Sequence, residues 1–429
     1  MEIGNIYTRL ESKLDRVITD TRLLTTGDVF FALKGPNYNG NEFVSKALEL
    51  GASCVICEDY QSQDGRVIVV DDALITLQLL AQYHRSRMKA KIIAITGSNG
   101  KTTTKELLLK VFETTFKVLA TEGNLNNHIG VPLTLLKLKN NHDFLILEMG
   151  ANHVGEIAFL CNLSNPDFGI ITSIGKAHLE GFGNLQGVLK TKMELFDYLD
   201  EHQGVSFYNL NDAQIASKFI ADLKHVSFGD QKFDLNYSYK PIQYIPTISL
   251  VQLIPEHDTH YKATIFGEHN YQNVIAVITI ANYFGIESDR INGSLIEYVP
   301  SNMRTQLLKW KSNDIILDAY NANPSSMVAA IEMLNQWPGE QKWIIVGKMA
   351  ELGVDSELEH QKVFNLLVNK PFQKIILIGP SYLPFTLSSN MLYFSNVEEC
   401  KSWITENLPI GKTILIKGSR SAKLESLLI

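Results

Sequence analysis

Apolar residues along the chain follow two alternating patterns: short runs that are apolar throughout, and longer stretches with apolar positions three and four apart. The first pattern predicts strands buried on both faces, and the second predicts helices packed by one stripe. In the first part of the chain, residues 16–22, 28–35, 52–58 and 66–70 read as strands. Residues 43–50 read as a helix, and 73–88 as a longer one with Leu74, Leu77, Leu80, Ala81 and His84 at helical spacing. A fully apolar strand at 91–96 opens the middle part, and further buried strands are expected at 144–147 and 168–172 with helices between them. That alternation predicts a doubly wound, mostly parallel sheet. Residues 231–266 turn polar and β-rich, which suggests an antiparallel excursion, before a helix at 269–283. After Val299-Pro300-Ser301, strand-like runs at 315–318, 343–347, 375–379 and 413–417 alternate with helices such as 325–337 and 358–368.

The expected fold is therefore α/β in three domains. Residues 1–88 form a small α/β domain, 89–299 a central P-loop-type domain, and 300–429 a Rossmann-like α/β domain. Length agrees, since 429 residues is about three domains at roughly 150 residues each. With 45% hydrophobic residues, disorder and collagen-like repeats are excluded. Lys and Arg number 39 against 46 Asp and Glu, a net charge of −7, so no basic field exists for nucleic acid or an anionic membrane. A polyanionic ligand must be held locally.

Four cysteines make no disulfide framework. Cys54 and Cys57 form a CxxC inside a strand-like run, where residues three apart face opposite sides, so core packing is the expected role. The polar start of the chain carries no secretory h-region, and no apolar run reaches the roughly 18 residues of a membrane span. The expectation is a reduced, cytoplasmic monomer.

The sharpest chemical signal is Ile95-Thr96-Gly97-Ser98-Asn99-Gly100-Lys101-Thr102-Thr103. An apolar strand runs into a glycine turn and then Lys-Thr-Thr at the start of a helix. Glycines let backbone N–H groups approach phosphate oxygens, and the helix terminus adds partial positive charge. Lys101 is expected to reach the terminal phosphates and Thr102 to ligate Mg2+. The loop is two residues shorter than the commonest GxxxxGK[ST] form. An ordinary strand–helix turn is the lesser alternative.

Three more residues stand out. Glu148 ends the apolar strand Phe144-Leu145-Ile146-Leu147, at the edge where a nucleotide crevice forms, and could hold Mg2+. His178 follows a second buried strand, where a structural role is the commoner case. Lys192 lies four residues from both Val188 and Phe196, on the apolar stripe of a helix at 185–199. It reads either as a snorkelling lysine or as one with a partner or a task.

The segments ITGSNGKTTTKE, TEGNLNNHIGVPLTLL, LEMGANHVGEI, ITSIGKAHLEGFG, GEHNYQN, LDAYNANPSSM and GKMAELG resemble the Mur ligase family, over essentially the whole chain and in the family's order. The Tyr-Asn-Ala-Asn-Pro and Asn-Asn-His-Ile-Gly-Val-Pro segments resemble the member that joins D-Ala-D-Ala to UDP-MurNAc-tripeptide in peptidoglycan precursor synthesis. The resemblance implies that ATP phosphorylates the tripeptide carboxylate and that the amine of D-Ala-D-Ala attacks the acyl phosphate. It also implies that Gly97, Ser98, Asn99, Gly100, Lys101, Thr102 and Thr103 hold the phosphates. Glu148 and His178 are implied as magnesium ligands, and Lys192 stands where the family carries a carbamylated, metal-supporting lysine. His269 and Asn273 match adenine contacts, Asp318 a ribose contact and Arg304 a phosphate contact. Tyr320, Asn321 and Asn323 are candidates near D-Ala-D-Ala, though Asn-Pro-Ser-Ser also reads as a helix cap.

In the first domain, Asp20-Thr21-Arg22 and Leu33-Lys34-Gly35 resemble UDP-binding segments. Thr21, Arg22 and Lys34 are implied as substrate contacts, with Asn126, Asn127 and His128 approaching from the central domain. One departure is Asn39-Gly40-Asn41, where many members read Asp-Gly-His; another is Ser421-Ala422. Two other readings compete: a different amide ligase, of tripeptide-forming Mur or folylpolyglutamate synthase type, and a nucleotide-gated switch without ligase chemistry.

Overall fold

The computed structural model describes residues 2–61, 63–219, 224–230, 235–255, 258–383 and 385–428. Met1 and residues 231–234, where the polar β-rich stretch was expected to begin, lie outside the described residues. No helix among the described residues is long and apolar enough to cross a membrane.

Strand Lys91–Thr96 organises the central sheet. It lies between Phe144–Glu148 and Phe168–Ile171 and pairs in parallel with both. Its side chains alternate between two cores: Ile92 and Ala94 face one, Ile93 and Ile95 the other. Burial on both faces is why this run is apolar at every position rather than at every second one. Outward from Phe168–Ile171, the parallel strands Val205–Asn209, His225–Asp230 and Tyr237–Gln243 continue the nine-stranded sheet. The antiparallel strands Ile248–Ile254 and Thr259–Ala263 close that end, and Val118–Ala120 forms the other edge. The antiparallel excursion thus begins one strand later than the polarity change suggests.

A four-stranded parallel sheet, Val17–Ile18, Val29–Phe31, Cys54–Cys57 and Val67–Val69, forms the N-terminal unit. Helix Ile3–Leu10, absent from the elements expected above although Ile3, Ile6, Tyr7 and Leu10 stand at helical spacing, packs on it with Ile6, Tyr7 and Leu10 buried. The core of this unit is continuous with one face of the central sheet: Leu77 and Leu80 of helix Ala73–Ser86 share it with Val131, Leu135, Leu145 and Leu147. Arg85 fastens the joint, donating to the carbonyls of Ser164, Met88 and Ala90 and pairing with Asp167 at 3.3 Å. The two CxxC thiols fall on opposite faces, Cys54 in the shared core and Cys57 in a smaller one.

The C-terminal sheet has six strands in the order Gln306–Trp310, Asn313–Asp318, Thr413–Lys417, Lys342–Val346, Lys374–Ile378 and Met391–Phe394. Only the first is antiparallel to its neighbour. Gln306–Trp310 and Met391–Phe394 escaped the sequence reading because edge strands are half exposed and lack a continuous apolar run. Leu179 and Phe266 of the central unit enter the C-terminal core, and the Phe266 ring meets Trp337 edge-on at 4.7 Å. The two units therefore stand docked.

Candidate active site

Strand Lys91–Thr96 points its C-terminal end at the junction of the central and C-terminal units, where a cleft of about 1100 Å3 opens. Gly97 and Gly100 carry the chain from strand to helix with φ of +142° and +85°. A Cβ on Gly100 would fall on Asn273 Oδ1, so both the backbone angle and the close approach require glycine. The turn is stitched to the next strand's loop. Ser98 N–H donates to Ser173 O at 2.9 Å, Ser98 Oγ–H to Gly175 O at 2.9 Å, and Asn99 N–H to Ser173 Oγ at 3.1 Å. Helix Lys101–Phe112 starts at once, so its first-turn N–H groups, which lack intrahelical acceptors, face the cleft. Lys101 curls back and donates to Gly97 O at 2.6 Å. Burial pulls its ammonium below the ordinary lysine value, and attraction to Glu148 opposes the shift.

Glu148 ends its strand only 2% exposed. Asn126 Nδ2 donates to Glu148 Oε1 at 2.8 Å, whereas Oε2 is buried without a hydrogen-bond partner. A buried carboxylate oxygen left bare beside a phosphate loop suits a cation. Among the described residues no group of three His, Cys, Asp or Glu side chains could hold a metal ion by itself. That fits Mg2+, which is usually held by one or two carboxylates together with substrate phosphates and water.

His178 has a left-handed backbone, φ +50°, and its Nδ1 lies 2.5 Å from Glu351 Oε2 of the C-terminal unit. The imidazole held against it keeps the Glu351 carboxyl below the usual range, although Nδ1 meets no acceptor in hydrogen-bonding geometry. Lys192 is 2% exposed with Nζ 5.3 Å from the Phe182 ring centre, so it does not snorkel. No described hydrogen bond or ion pair holds it. Burial, with Lys101 adding to the effect, pushes its amine down to about 7. Lys192 is not among the residues that line the cleft.

From the C-terminal side, the Arg304 guanidinium lies 4.1 Å from the Tyr320 ring centre, and its buried Nε has no partner. Asp318 pairs with the buried Lys417 at 2.9 Å, and Lys417 also donates to Asn321 O at 2.9 Å. Asn323 caps helix Pro324–Gln336 in a reciprocal capping box with Ser326, as its sequence context allowed. Its Nδ2 also donates to Asn99 Oδ1 of the phosphate loop at 2.8 Å, joining the two units directly. His269 and Asn273 line the same cleft. Asn273 Oδ1 accepts from Thr104 Oγ1 at 3.2 Å, and its Nδ2 donates to Asn270 Oδ1 at 3.1 Å.

Asn126, Asn127 and His128 reach the cleft. Asn127 Oδ1 also accepts the backbone N–H groups of Ile129 and Gly130 at 3.1 and 2.9 Å, just before helix Gly130–Leu135. Thr21, Arg22 and Lys34 do not line it. Arg22 is engaged by Asp20 at 2.6 Å, and Lys34 lies between Glu58 at 2.8 Å and Asp59 at 2.5 Å. The unusual Asn39-Gly40-Asn41 turn is structural. Asn39 Oδ1 accepts from Asn41, and Asn41 Oδ1 accepts the backbone N–H groups of Glu58 and Asp59 at 2.9 and 3.3 Å. Asn41→Ala should cost about 1–3 kcal/mol by orphaning those donors. Faster hydrogen exchange at the Glu58 and Asp59 amides would register it, and unchanged protection would show the turn to be dispensable.

Lys417 and Glu351 were missed in the sequence. Lys417 had the same signal as Glu148, a charge at the end of an apolar strand. Glu351 stands in the GKMAELG segment quoted above, but a loop glutamate has no periodicity to single it out.

Residues 95–281 match the Mur ligase middle domain, and residues 303–420 the Mur ligase, glutamate ligase domain. The chain is 33% identical over 428 residues to the UDP-N-acetylmuramoyl-tripeptide–D-alanyl-D-alanine ligase of Bacillus subtilis (strain 168), covering 96% of this chain and 92% of that one. The enzyme of the same name from Escherichia coli (strain K12) is 34% identical over 430 residues, with 96% and 92% covered. Among solved structures, a MurF from Acinetobacter baumannii superposes with a TM-score of 0.85 at 30% identity, covering 96% of this chain and 92% of its own. The MurF ligase from Thermotoga maritima in complex with ADP also gives 0.85, at 26% identity and 97% of both chains.

Proposed function

The chain belongs to the Mur ligase family, and from that premise we propose how its cleft works. It is an ATP-dependent ligase of peptidoglycan precursor synthesis. It joins D-Ala-D-Ala to the C-terminal carboxylate of UDP-MurNAc-tripeptide, giving UDP-MurNAc-pentapeptide, ADP and phosphate. The observation that carries the mechanism is the phosphate loop facing Glu148, with Arg304, Asp318 and Lys417 closing over it from another unit.

A carboxylate resists amines until one of its oxygens becomes a leaving group, so phosphorylation by ATP must come first. Gly97 to Thr103 and Lys101 cradle the β- and γ-phosphates, and Arg304, with its unpartnered Nε, offsets charge on the transferred group. Thr102, Glu148 and His178 are the residues that would hold Mg2+, with Lys192 supporting them once carbamylated. When bound, the cation would neutralise phosphate charge. His269 and Asn273 serve the adenine and Asp318 the ribose. Tyr320, Asn321 and Asn323 stand toward the acceptor amine, which attacks the acyl carbon and expels phosphate.

The division of labour is 1–88 for the UDP-sugar, through Thr21, Arg22 and Lys34, 89–299 for ATP and 300–429 for the acceptor. The same reading makes the enzyme cytoplasmic and monomeric, where ATP and a nucleotide-linked substrate are available. Phosphate release should require UDP-MurNAc-tripeptide and respond to D-Ala-D-Ala. Stimulation by single amino acids alone would overturn the assignment.

A further inference from the structure

We propose that Glu351 is a positioning residue for His178, so that the cation side of the site is completed only when the C-terminal unit is docked. This rests on His178 being a ligand on the phosphate side. Glu351 Oε2 stands 2.5 Å from His178 Nδ1, but off the line of a hydrogen bond, and that buried nitrogen has no hydrogen-bond partner among the described residues, so a small turn of the ring would give its N–H to the carboxylate. An imidazole that gives its Nδ1–H to a carboxylate has one tautomer and one ring orientation, and it presents its Nε2 lone pair on the opposite side.

Both residues hold an uncommon backbone to make this contact. His178 has φ +50° and Glu351 φ +61°, left-handed conformations that persist in non-glycine residues only where the surroundings over-determine them. Those surroundings are mutual. Lys176 N–H donates to Ser325 Oγ at 3.1 Å, and Lys176 Nζ to the buried Glu359 at 2.8 Å. Glu180 N–H donates to the Glu351 carbonyl at 3.4 Å. The loop from Gly175 to Glu180 is thus shaped by three ties from the C-terminal unit, and the Glu351 carboxylate, a fourth contact, stands against the imidazole itself. The turn of the phosphate loop and Glu148 are held by bonds within the central unit, the Asn323–Asn99 tether being the loop's one described hydrogen bond to the C-terminal unit. An undocked enzyme would bind nucleotide with its histidine free to turn, and docking would finish the site just as the acceptor side arrives.

The test uses the full chain with a saturating non-hydrolysable ATP analogue. Mn2+ binding is followed by electron paramagnetic resonance, and the imidazole tautomer by long-range 15N–1H spectra. H178A and E351A should each weaken Mn2+ binding about tenfold or more. E351Q, whose amide oxygen can still accept, should recover most of it. The Nδ1–H signature of His178 should disappear in E351A, while metal-free nucleotide affinity stays the same. E351A binding Mn2+ as wild type does, beside a weakened H178A, would overturn the proposal and leave the ligand reading standing. H178A with wild-type Mn2+ affinity would remove the ligand reading and the proposal with it. Affinity lost only in step with lost compaction in solution scattering, with the tautomer unchanged, would reduce Glu351 to a docking contact and also overturn it.

Discussion

Lys192→Ala is expected to abolish ligation, by about 100-fold or more in kcat, while ATP binding stays close to wild type. Lys192 does not line the cleft and makes no described hydrogen bond to the phosphate loop, so its removal leaves the loop's own bonds in place. What is lost is an amine buried to 2% exposure and held at about 7, so that a substantial fraction is unprotonated near neutral pH. An unprotonated amine can add CO2, forming an N–C bond and releasing a proton. The cation thereby becomes an anion able to support a metal. A short carboxylic acid in the buffer should partly restore the alanine variant by occupying the vacated space. Full activity without added acid would refute the role.

Gly97→Ala should remove nucleotide binding, lowering affinity about 100-fold or more, since the whole anion cradle depends on that turn. A Cβ there would stand 3.0 Å from Thr172 N and 3.1 Å from Ser173 N, backbone atoms that cannot swing aside, and would overlap Thr172 Oγ1 as well. The φ of +142° adds strain for any L side chain. The loop must then either move away from the strand it is stitched to or turn its N–H groups off the phosphates. Calorimetric titration with ADP measures this directly. Affinity within about threefold of wild type would show that the phosphates are held elsewhere.

Strands buried on both faces announced themselves where an apolar residue fills every position, but Val205–Asn209 and His225–Asp230, equally buried, did not, because Ser206, Asn209, His225 and Ser227 interrupt the run. The phosphate loop announced itself too, since its glycines have a backbone reason to be there. Gln306–Trp310 and Met391–Phe394 were not legible, because half-exposed edge strands tolerate polar residues and blur the period, whereas helix Ile3–Leu10 keeps its period at Ile3, Ile6, Tyr7 and Leu10 but over only about two turns. In the site, Glu148 and Lys192 were visible as charges in apolar settings. Burial then decided between snorkelling and a task for Lys192, which spacing alone could not. Contacts between units were silent in the sequence: the Asn99–Asn323 tether and the His178–Glu351 pair join residues more than 150 positions apart, and although each end lies in a recognisable segment, nothing local says which segments meet.

The four cysteines, which carry no chemistry in the reaction, turn the chain into its own unfolding gauge. All are free and buried, two in the N-terminal unit, Cys161 in the central one and Cys400 in the C-terminal one. Burial raises the thiols, Cys57 to about 11 and Cys400 to about 12, so little thiolate is present to meet a reagent while the fold is intact. Each unit therefore reports its own opening through the rate at which its thiol is alkylated. The coupling between units can then be followed residue by residue without inserting a label.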